Sequence, residues 1–425
     1  MNEQFLQYLW KYRLLHPELR TTTGEKLAVL HPGIQNTDGG PDFFNARIRV
    51  GNTVWAGNVE VHIRSGDWIR HRHQGDPAYE NVVLHVVYEC DQAVRRKNRS
   101  EMPTLVLKDN YPNGIEETYR MIMQNHQWIP CSNMVNGGFS SVFKLWAPSL
   151  VMDRLSAKSA VVFRLLDEYA DWDEVFYILL GTGFGFRINA MPFEMLSRSL
   201  PLRIIRRNAD SIFRLEALFY GQSGLIARNV RDSYRRSLLA EYRHQQQKYG
   251  LKPLRPGLWK KLRLHPFNFP EIRISQFVRL LFDCRGEPSS LPGQTVTGLL
   301  EGFCRLSASA YWDTHYVFGK KSARQPKNLG RVSAGLVLIN TLAPYLYAYG
   351  SAKDISPFRM QAIELLESLK AEDNSECRMW NSAGIKAGNA LESQALIQLK
   401  RNYCDLRRCL ECRIGLKLLG KHQQA

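Results

Sequence analysis

The chain has 425 residues, 44% hydrophobic and 23% charged, with 57 Lys and Arg against 40 Asp and Glu and a formal charge of +17. That balance excludes a disordered, collagenous or coiled-coil chain, and eight cysteines at this length exclude a small disulfide scaffold. The length calls for two or three domains, and the excess of cations favours a polyanionic partner.

The opening MNEQFLQYLWKYRLLHPEL carries Glu3 and no apolar core ahead of a small-residue cleavage site. No secretion signal is read, and a cytoplasmic location with reduced thiols is expected. Phe5, Leu6, Leu9, Trp10 and Leu14 recur at three- and four-residue steps and predict an amphipathic helix over 4–15. HPGIQNTDGG, 31–40, reads as a loop. Strands are predicted at 43–50 and 53–64 around Gly51-Asn52, a two-residue hairpin signal. On the second strand Asn58, Glu60, His62 and Arg64 share one face, and Val59, Val61 and Ile63 the other. Residues 66–80 read as helical or irregular, NVVLHVVYE (81–89) as a buried β-branched strand, and 102–108 as one more strand.

Beyond residue 140 helical periodicity takes over, in 143–172, 173–181, 191–218, 226–249, 274–284, 294–311, 331–348, 357–371 and 389–419. The fold class expected is α+β, with an N-terminal mixed-sheet domain over 1–135 and a basic, mostly helical domain over 140–425. The longest apolar stretch, 332–349, contains Ser333, Asn340 and Pro344 and reads as a buried core helix, so no membrane is expected. GTGFG at 181–185 lacks the Lys-Ser/Thr of a phosphate loop and reads as a helix end and turn.

Three constellations carry chemistry. In the first, Gly40-Pro41-Asp42 opens one strand of the predicted hairpin and Glu60-Val61-His62 lies on the other. If the register runs to the open end, Asp42 meets Glu60, and Glu60 and His62 share a face. Two carboxylates and an imidazole at a sheet edge suit a divalent cation, here Mg²⁺ or Mn²⁺, which would polarise a phosphoryl oxygen. Asp67, His71, His73, Asp76 and His85 crowd the same region. They read either as further ligands or bases, or as hydrogen-bonded members of a sheet-and-loop core.

The second constellation is Cys404, Cys409 and Cys412, a C-x4-C-x2-C run, with Cys377 upstream as a fourth ligand. Thiolates so spaced suit zinc or an iron–sulfur cluster, and the alternative is a helix that buries them as small apolar residues. Cys90, Cys131, Cys284 and Cys304 stand alone and read as packing residues.

The third is charge. Residues 1–140 hold fifteen basic and fifteen acidic side chains, whereas 228–279 hold thirteen basic and three acidic. Lys252, Arg255, Lys260, Lys261, Arg263 and Arg273 are interleaved with Trp259, Phe267 and Phe269, and Lys320 and Lys321 follow Tyr311, Trp312 and Tyr316. Arg203, Arg206 and Arg207 add another patch. Cations track phosphates and rings stack on unpaired bases, so DNA or RNA is the partner expected; a solvated basic face is the plainer reading.

The Pro-Asp and Glu-x-His pattern resembles the signature of the restriction-endonuclease-like PD-(D/E)xK nuclease superfamily, over about residues 1–110. That resemblance implies an αβββαβ core with Asp42 and Glu60 as metal ligands and His62 at the position of the signature's lysine. A lysine there is a permanent cation that orients the attacking water; a histidine ligates metal or acts as a base. The segments GGPDFFNARIRV, GNVEVHIRSGDWIRHRHQGDPAYENVVLHVVYE, YWDTHYVFGK and YCDLRRCLECRIG resemble, nearly end to end, an uncharacterised bacterial domain-of-unknown-function family of Bacteroidetes-type genomes. This second resemblance brings no activity and implies that front and rear work as one unit. Three functions follow as expectations: a metal-dependent nuclease-like protein that hydrolyses phosphodiester bonds, a catalytically inactive nucleic-acid-binding protein on a nuclease fold, and a metallohydrolase for a small substrate.

Overall fold

Asn2 caps the first helix, α1 (Glu3–Lys11), by accepting the Phe5 N–H at 3.0 Å. The computed structural model describes residues 1–97, 99–135, 137–226 and 232–420. Helix α1 ends sooner than its apolar spacing suggests, because Arg13 turns the chain with φ +52°. It buries Phe5, Leu6, Tyr8, Leu9 and Trp10.

Seven strands follow: β1 (Leu19–Arg20), β2 (Lys26–His31), β3 (Ile34–Gln35), β4 (Phe43–Val50), β5 (Thr53–Arg64), β6 (Val82–Glu89) and β7 (Thr104–Val106). Their order in the sheet is β1-β2-β4-β5-β6-β7, with β3 beside β4. Pairing is antiparallel up to β5, while β6 runs parallel to β5 and β7 parallel to β6. A parallel neighbour needs a crossover. Residues between β5 and β6 supply it as a short helix, α2 (Asp67–Arg70), and two 3-10 turns, His73–Gly75 and Pro77–Tyr79. The sheet is therefore mixed, as expected. Strands β1, β2 and β3, the last within the expected loop 31–40, were not foreseen: β1 and β3 have two residues each, and only Leu27 of β2 is buried, so the alternation is faint.

Val59 and Val61 of β5 and Leu84 and Val86 of β6 face a core that takes in Phe5, Leu9 and Trp10 of α1, and Ile115 and Tyr119 of α3 (Ile115–Gln124). Each such fully buried side chain contributes about 1.5–3 kcal/mol. At the start of this face β5 and β6 come very close: a Cβ on Gly57 would meet the Asn81 carbonyl oxygen at 2.5 Å.

The chain divides into two compact units, Met1–Phe143 with Lys400–Ala425, and Lys144–Leu399. The C-terminal segment, assigned from sequence to the helical domain, thus lies with the sheet. The reason is apolar: Leu419 is fully buried in the sheet's core, and Leu410 and Leu416 pack against it.

The second unit is helical. The predicted stretch 191–218 is three helices, Ala190–Ser199, Leu202–Arg206 and Ile212–Gln222. Pro201 has no N–H to continue a ladder, and Ser211 caps a new start through the Arg214 N–H. The helix Ser375–Ser382 was not predicted, and 389–419 runs as a helix over Ala390–Leu399, widens to a π turn over Lys400–Cys404, and is broken after Cys404. Residues 227–231, at the start of the predicted helix 226–249, lie outside the described residues. Among the described residues one helix, Arg331–Ala352, is long and apolar enough to cross a membrane, and 61% of its apolar window is buried inside the protein. Its ladder widens to a π turn over Leu338–Leu342, next to Pro344.

Candidate metal centre at the sheet edge

The β4–β5 register places Phe43 opposite Val59, so Asp42 stands opposite Glu60. One extra residue on β4 makes a bulge between Phe43 and Ala46, and Asn45 takes φ +57° within it. The bulge bends the strand just where the acids meet. The Asp42 N–H donates to Glu60 Oε2 at 3.0 Å, and the Val61 N–H donates to Asp42 Oδ2 at 2.9 Å. The Gln7 amide of α1 donates to Asp42 Oδ1 at 2.8 Å. Glu60 thus has one oxygen pinned and the other, Oε1, turned toward imidazoles: His62 Nε2 at 3.4 Å and His73 Nε2 at 3.5 Å.

The crossover brings the rest. His71 Nδ1 is 3.2 Å from His62 Nε2. Among the described residues, His62, His71 and His73 form the one group whose three ligand atoms all lie within 4.8 Å of one another. The set is graded from inside to outside: the side chains of His62, Glu60 and His73 are 2%, 7% and 11% exposed, and His71 is open to solvent. Tyr79 stacks on His73 at 3.8 Å and Trp68 meets its edge. A cavity of about 520 Å³ opens on this side, lined by Trp68, His73, Asp76, Tyr79, Arg96 and Lys97 among others.

Electrostatics follow from burial. Glu60 is pushed up to about 9 by its burial, with Asp42 and Glu3 adding to the effect. Asp42 is raised by burial against the pull of the Val61 and Gln7 hydrogen bonds. Glu3, in the first turn of α1, rises to about 7 through burial and Asp42. The imidazoles move the other way. His62 falls to about 3 through burial and the neighbouring His73 and His71, and His85 falls to about 3 through burial and His62. Burial also lowers His73. Burial thus pushes both acids toward the protonated form and the imidazoles toward the neutral form.

Of the Mg²⁺ and Mn²⁺ expected from sequence, the mixed carboxylate and imidazole donors suit the transition ion better: imidazole nitrogen suits Zn, Cu, Fe or Ni, a carboxylate suits Mn, and Mg²⁺ keeps to oxygen and water. Bonds of about 2.0–2.1 Å in a tetrahedron place ligand atoms about 3.3–3.4 Å apart, close to the 3.4 and 3.5 Å that separate Glu60 Oε1 from the Nε2 atoms of His62 and His73. A ligating histidine usually passes its second N–H to a fixed acceptor. His62 Nδ1 meets His85 Nε2 at 2.9 Å, and His85 is wholly buried. If His62 donates, His85 carries its own proton on Nδ1, a buried atom with no partner.

The structure thus brings Asp42, Glu60, His62, His71, His73 and His85 together. Asp67 and Asp76 are occupied locally: Asp67 accepts the Arg64 N–H and pairs with Arg70, and Asp76 caps a turn through the Ala78 N–H. Glu3 and Gln7 were missed. The signal available was a glutamine set among Phe5, Leu6, Tyr8 and Leu9, four residues after an acid and so on the same helical face.

In the helical unit Lys252, Arg255, Lys260, Arg263, Lys320 and Lys321 are exposed. Trp259 is not available for stacking, since it is buried and its Nε1–H donates to the Ser223 carbonyl at 2.8 Å. Lys261 is paired with Glu271, and Arg273 is buried against Gln276, Asn268 and Ser333. Cys377 lies in this unit, whereas the other three proposed cysteine ligands lie in the sheet unit.

A family model described as protein of unknown function (DUF2851) matches residues 3–375. The chain belongs to that family. The match takes in every residue of the centre from Glu3 to His85 and ends before Cys404. Comparison with curated proteins and with solved structures finds no match.

Proposed function

We propose that the chain is a metal-dependent, nuclease-like hydrolase of phosphodiester bonds, with its reaction centre on the β4–β5 edge. The observation that carries the reading is the convergence of Glu60 Oε1 with the ring nitrogens of His62 and His73, 3.4 and 3.5 Å away. Glu60, His62 and His73 would hold one divalent ion, a two-histidine, one-carboxylate set that leaves positions open. The ion supplies Lewis acidity, polarising a phosphoryl oxygen and making water easier to deprotonate.

The chain's own groups do the rest. The Asp42 N–H fixes Glu60, and Gln7 fixes Asp42. His85 holds the ring of His62. His71, exposed at the rim, is placed to take the proton of the attacking water and hand it to solvent. Trp68 and Tyr79 hold the ring of His73 in place, one against its edge and one on its face.

Two features support a nucleic-acid substrate. With the two-residue strands β1 and β3 set aside, the order helix α1, antiparallel β2, β4 and β5, helical crossover, parallel β6 is compatible with the αβββαβ plan that the nuclease resemblance implies. The helical unit also exposes the cations named above. The departure at His62 is then a change of role, from lysine cation to metal ligand.

The test is cleavage of labelled single- and double-stranded DNA and RNA by purified protein with Mn²⁺ or Zn²⁺, beside His73→Ala. Cleavage by the parent and none by the variant is expected. The cavity of about 520 Å³ beside His73 favours a second reading, a small-substrate metallohydrolase. Turnover of a small phosphodiester with every nucleic acid left intact would replace the first reading by the second. Salt-dependent binding with no turnover of either would replace both by a binding role.

A further inference from the structure

Cys131 was read from sequence as a packing residue, yet it sits with the C-terminal cysteines. Cys131, Cys404, Cys409 and Cys412 are all buried free thiols of the sheet unit. Every one of the four lies within electrostatic reach of the other three. Cys377, the fourth ligand expected from spacing, is instead surrounded by Glu372, Glu376 and Asp373 of the helical unit.

We propose that Cys131, Cys404, Cys409 and Cys412 bind an iron–sulfur cluster that fastens the C-terminal segment to the sheet unit. The local backbone is shaped for it. After Cys404 the chain turns back, with the Arg407 N–H on the Cys404 carbonyl at 3.2 Å and Arg407 at φ +54°. The Cys412 N–H then reaches the Cys409 carbonyl at 3.3 Å. Gly415 lies so close behind that a Cβ on it would collide with the Cys409 carbonyl oxygen. The backbone N–H groups of Ile414 and Gly415 hydrogen-bond the Cys412 sulfur, as donors do around bound thiolates. On the other strand of the site, Cys131 follows Pro130 in a tight turn whose Met134 and Val135 N–H groups return to the Cys131 carbonyl.

The surroundings suit an anionic cluster. The Tyr8 hydroxyl, close to Cys412, is buried and has no hydrogen-bond partner among the described residues. It would donate to a cluster or cysteine sulfur. Burial pushes all four thiols up, so each stays protonated until a metal takes its place; Arg407 beside Cys409 and Lys400 beside Cys404 pull only weakly the other way. Spacing then separates iron–sulfur from zinc. One zinc with four thiolates at about 2.3 Å needs all sulfur pairs about 3.8 Å apart. Among the described residues no three of these sulfurs lie within 4.8 Å of one another. A cluster that spreads its thiolates over several irons needs the wider cage.

The inference is independent of the hydrolytic reading. Loading from a small-thiol-ligated cluster is plain ligand exchange: each cysteine thiol replaces a carrier thiolate, which leaves with the cysteine's proton, and no electron is transferred. The experiment is iron and acid-labile sulfide analysis of the anaerobically purified, cluster-loaded chain, with Cys131→Ser and Cys377→Ser. A brown chain with bound iron and sulfide, lost in C131S and kept in C377S, is expected. Iron K-edge absorption of the parent chain guards against a C131S that does not fold: an all-sulfur shell is expected. A colourless iron-free chain, stoichiometric zinc, iron retained by C131S, loss of iron in C377S, or nitrogen and oxygen around the iron would each overturn the proposal.

Discussion

Replacing Glu60 by glutamine should stabilise the metal-free protein while abolishing the hydrolysis proposed for it. The folded carboxyl titrates near 9, from an ordinary 4.5, because it is buried beside Asp42 and Glu3. Between those values the folded chain holds a proton that the unfolded chain has lost. Stability from this group is full below pH 4.5 and falls as pH rises toward 9, by about 1.4 kcal/mol per pH unit. At pH 7 that deficit is about 3 kcal/mol, less whatever part of the shared proton Asp42 retains. Glutamine is close in shape, never ionises, and keeps an oxygen for the Asp42 N–H. Urea denaturation in a chelator at pH 5, 7 and 8.5 measures the difference. The variant should gain about 2–3 kcal/mol at pH 7, more at 8.5 and little at pH 5. Equal or lower stability at pH 8.5 would refute the burial argument. Added Mn²⁺ or Zn²⁺ should stabilise the parent and not the variant, since only the carboxylate repays its desolvation by ligation.

Other consequences are separable. His85→Phe removes the acceptor for His62 Nδ1–H, so metal affinity measured by titration should fall about 10–100-fold, with His85→Gln restoring part of it. Gly57→Ala forces a methyl against the Asn81 carbonyl and should cost about 2–3 kcal/mol in denaturant unfolding; an unchanged midpoint would mean that β5 and β6 are not this close. In the helical unit, Lys260→Glu with Arg263→Glu should weaken DNA or RNA binding and flatten its salt dependence by about two counterions. Trp259→Ala should instead lower thermal stability, by about 3–5 kcal/mol, and leave that slope unchanged.

Sequence carried the front hairpin well, because alternation and the Gly51-Asn52 turn fix its pairing; that pairing alone would set Asp42 against Val61, and the unforeseen bulge between Phe43 and Ala46 shifts it by one residue to Glu60. It also marked the buried β6, whose β-branched run leaves little choice. What escaped has a common physical cause: it depends on contacts distant in sequence. Gln7 meets Asp42 across 35 residues, and Cys131 meets Cys404 across 273. Cys377 is nearer to Cys404 in sequence yet belongs to the other unit. The return of Leu419 to the sheet's core, which moves the C-terminal segment out of the helical unit, likewise has no local signature. Trp259 shows the opposite error: interleaving with cations suggested a stacking ring, but its burial and the hydrogen bond to Ser223 make it part of the core.

The most direct test of the metal centre is anomalous diffraction from crystals grown or soaked with Mn²⁺. The account predicts one peak within ligating distance of Glu60 Oε1 and the Nε2 atoms of His62 and His73, absent in Glu60→Gln. A fully loaded crystal with manganese bound elsewhere, and those three side chains still bonded only to one another, would contradict it.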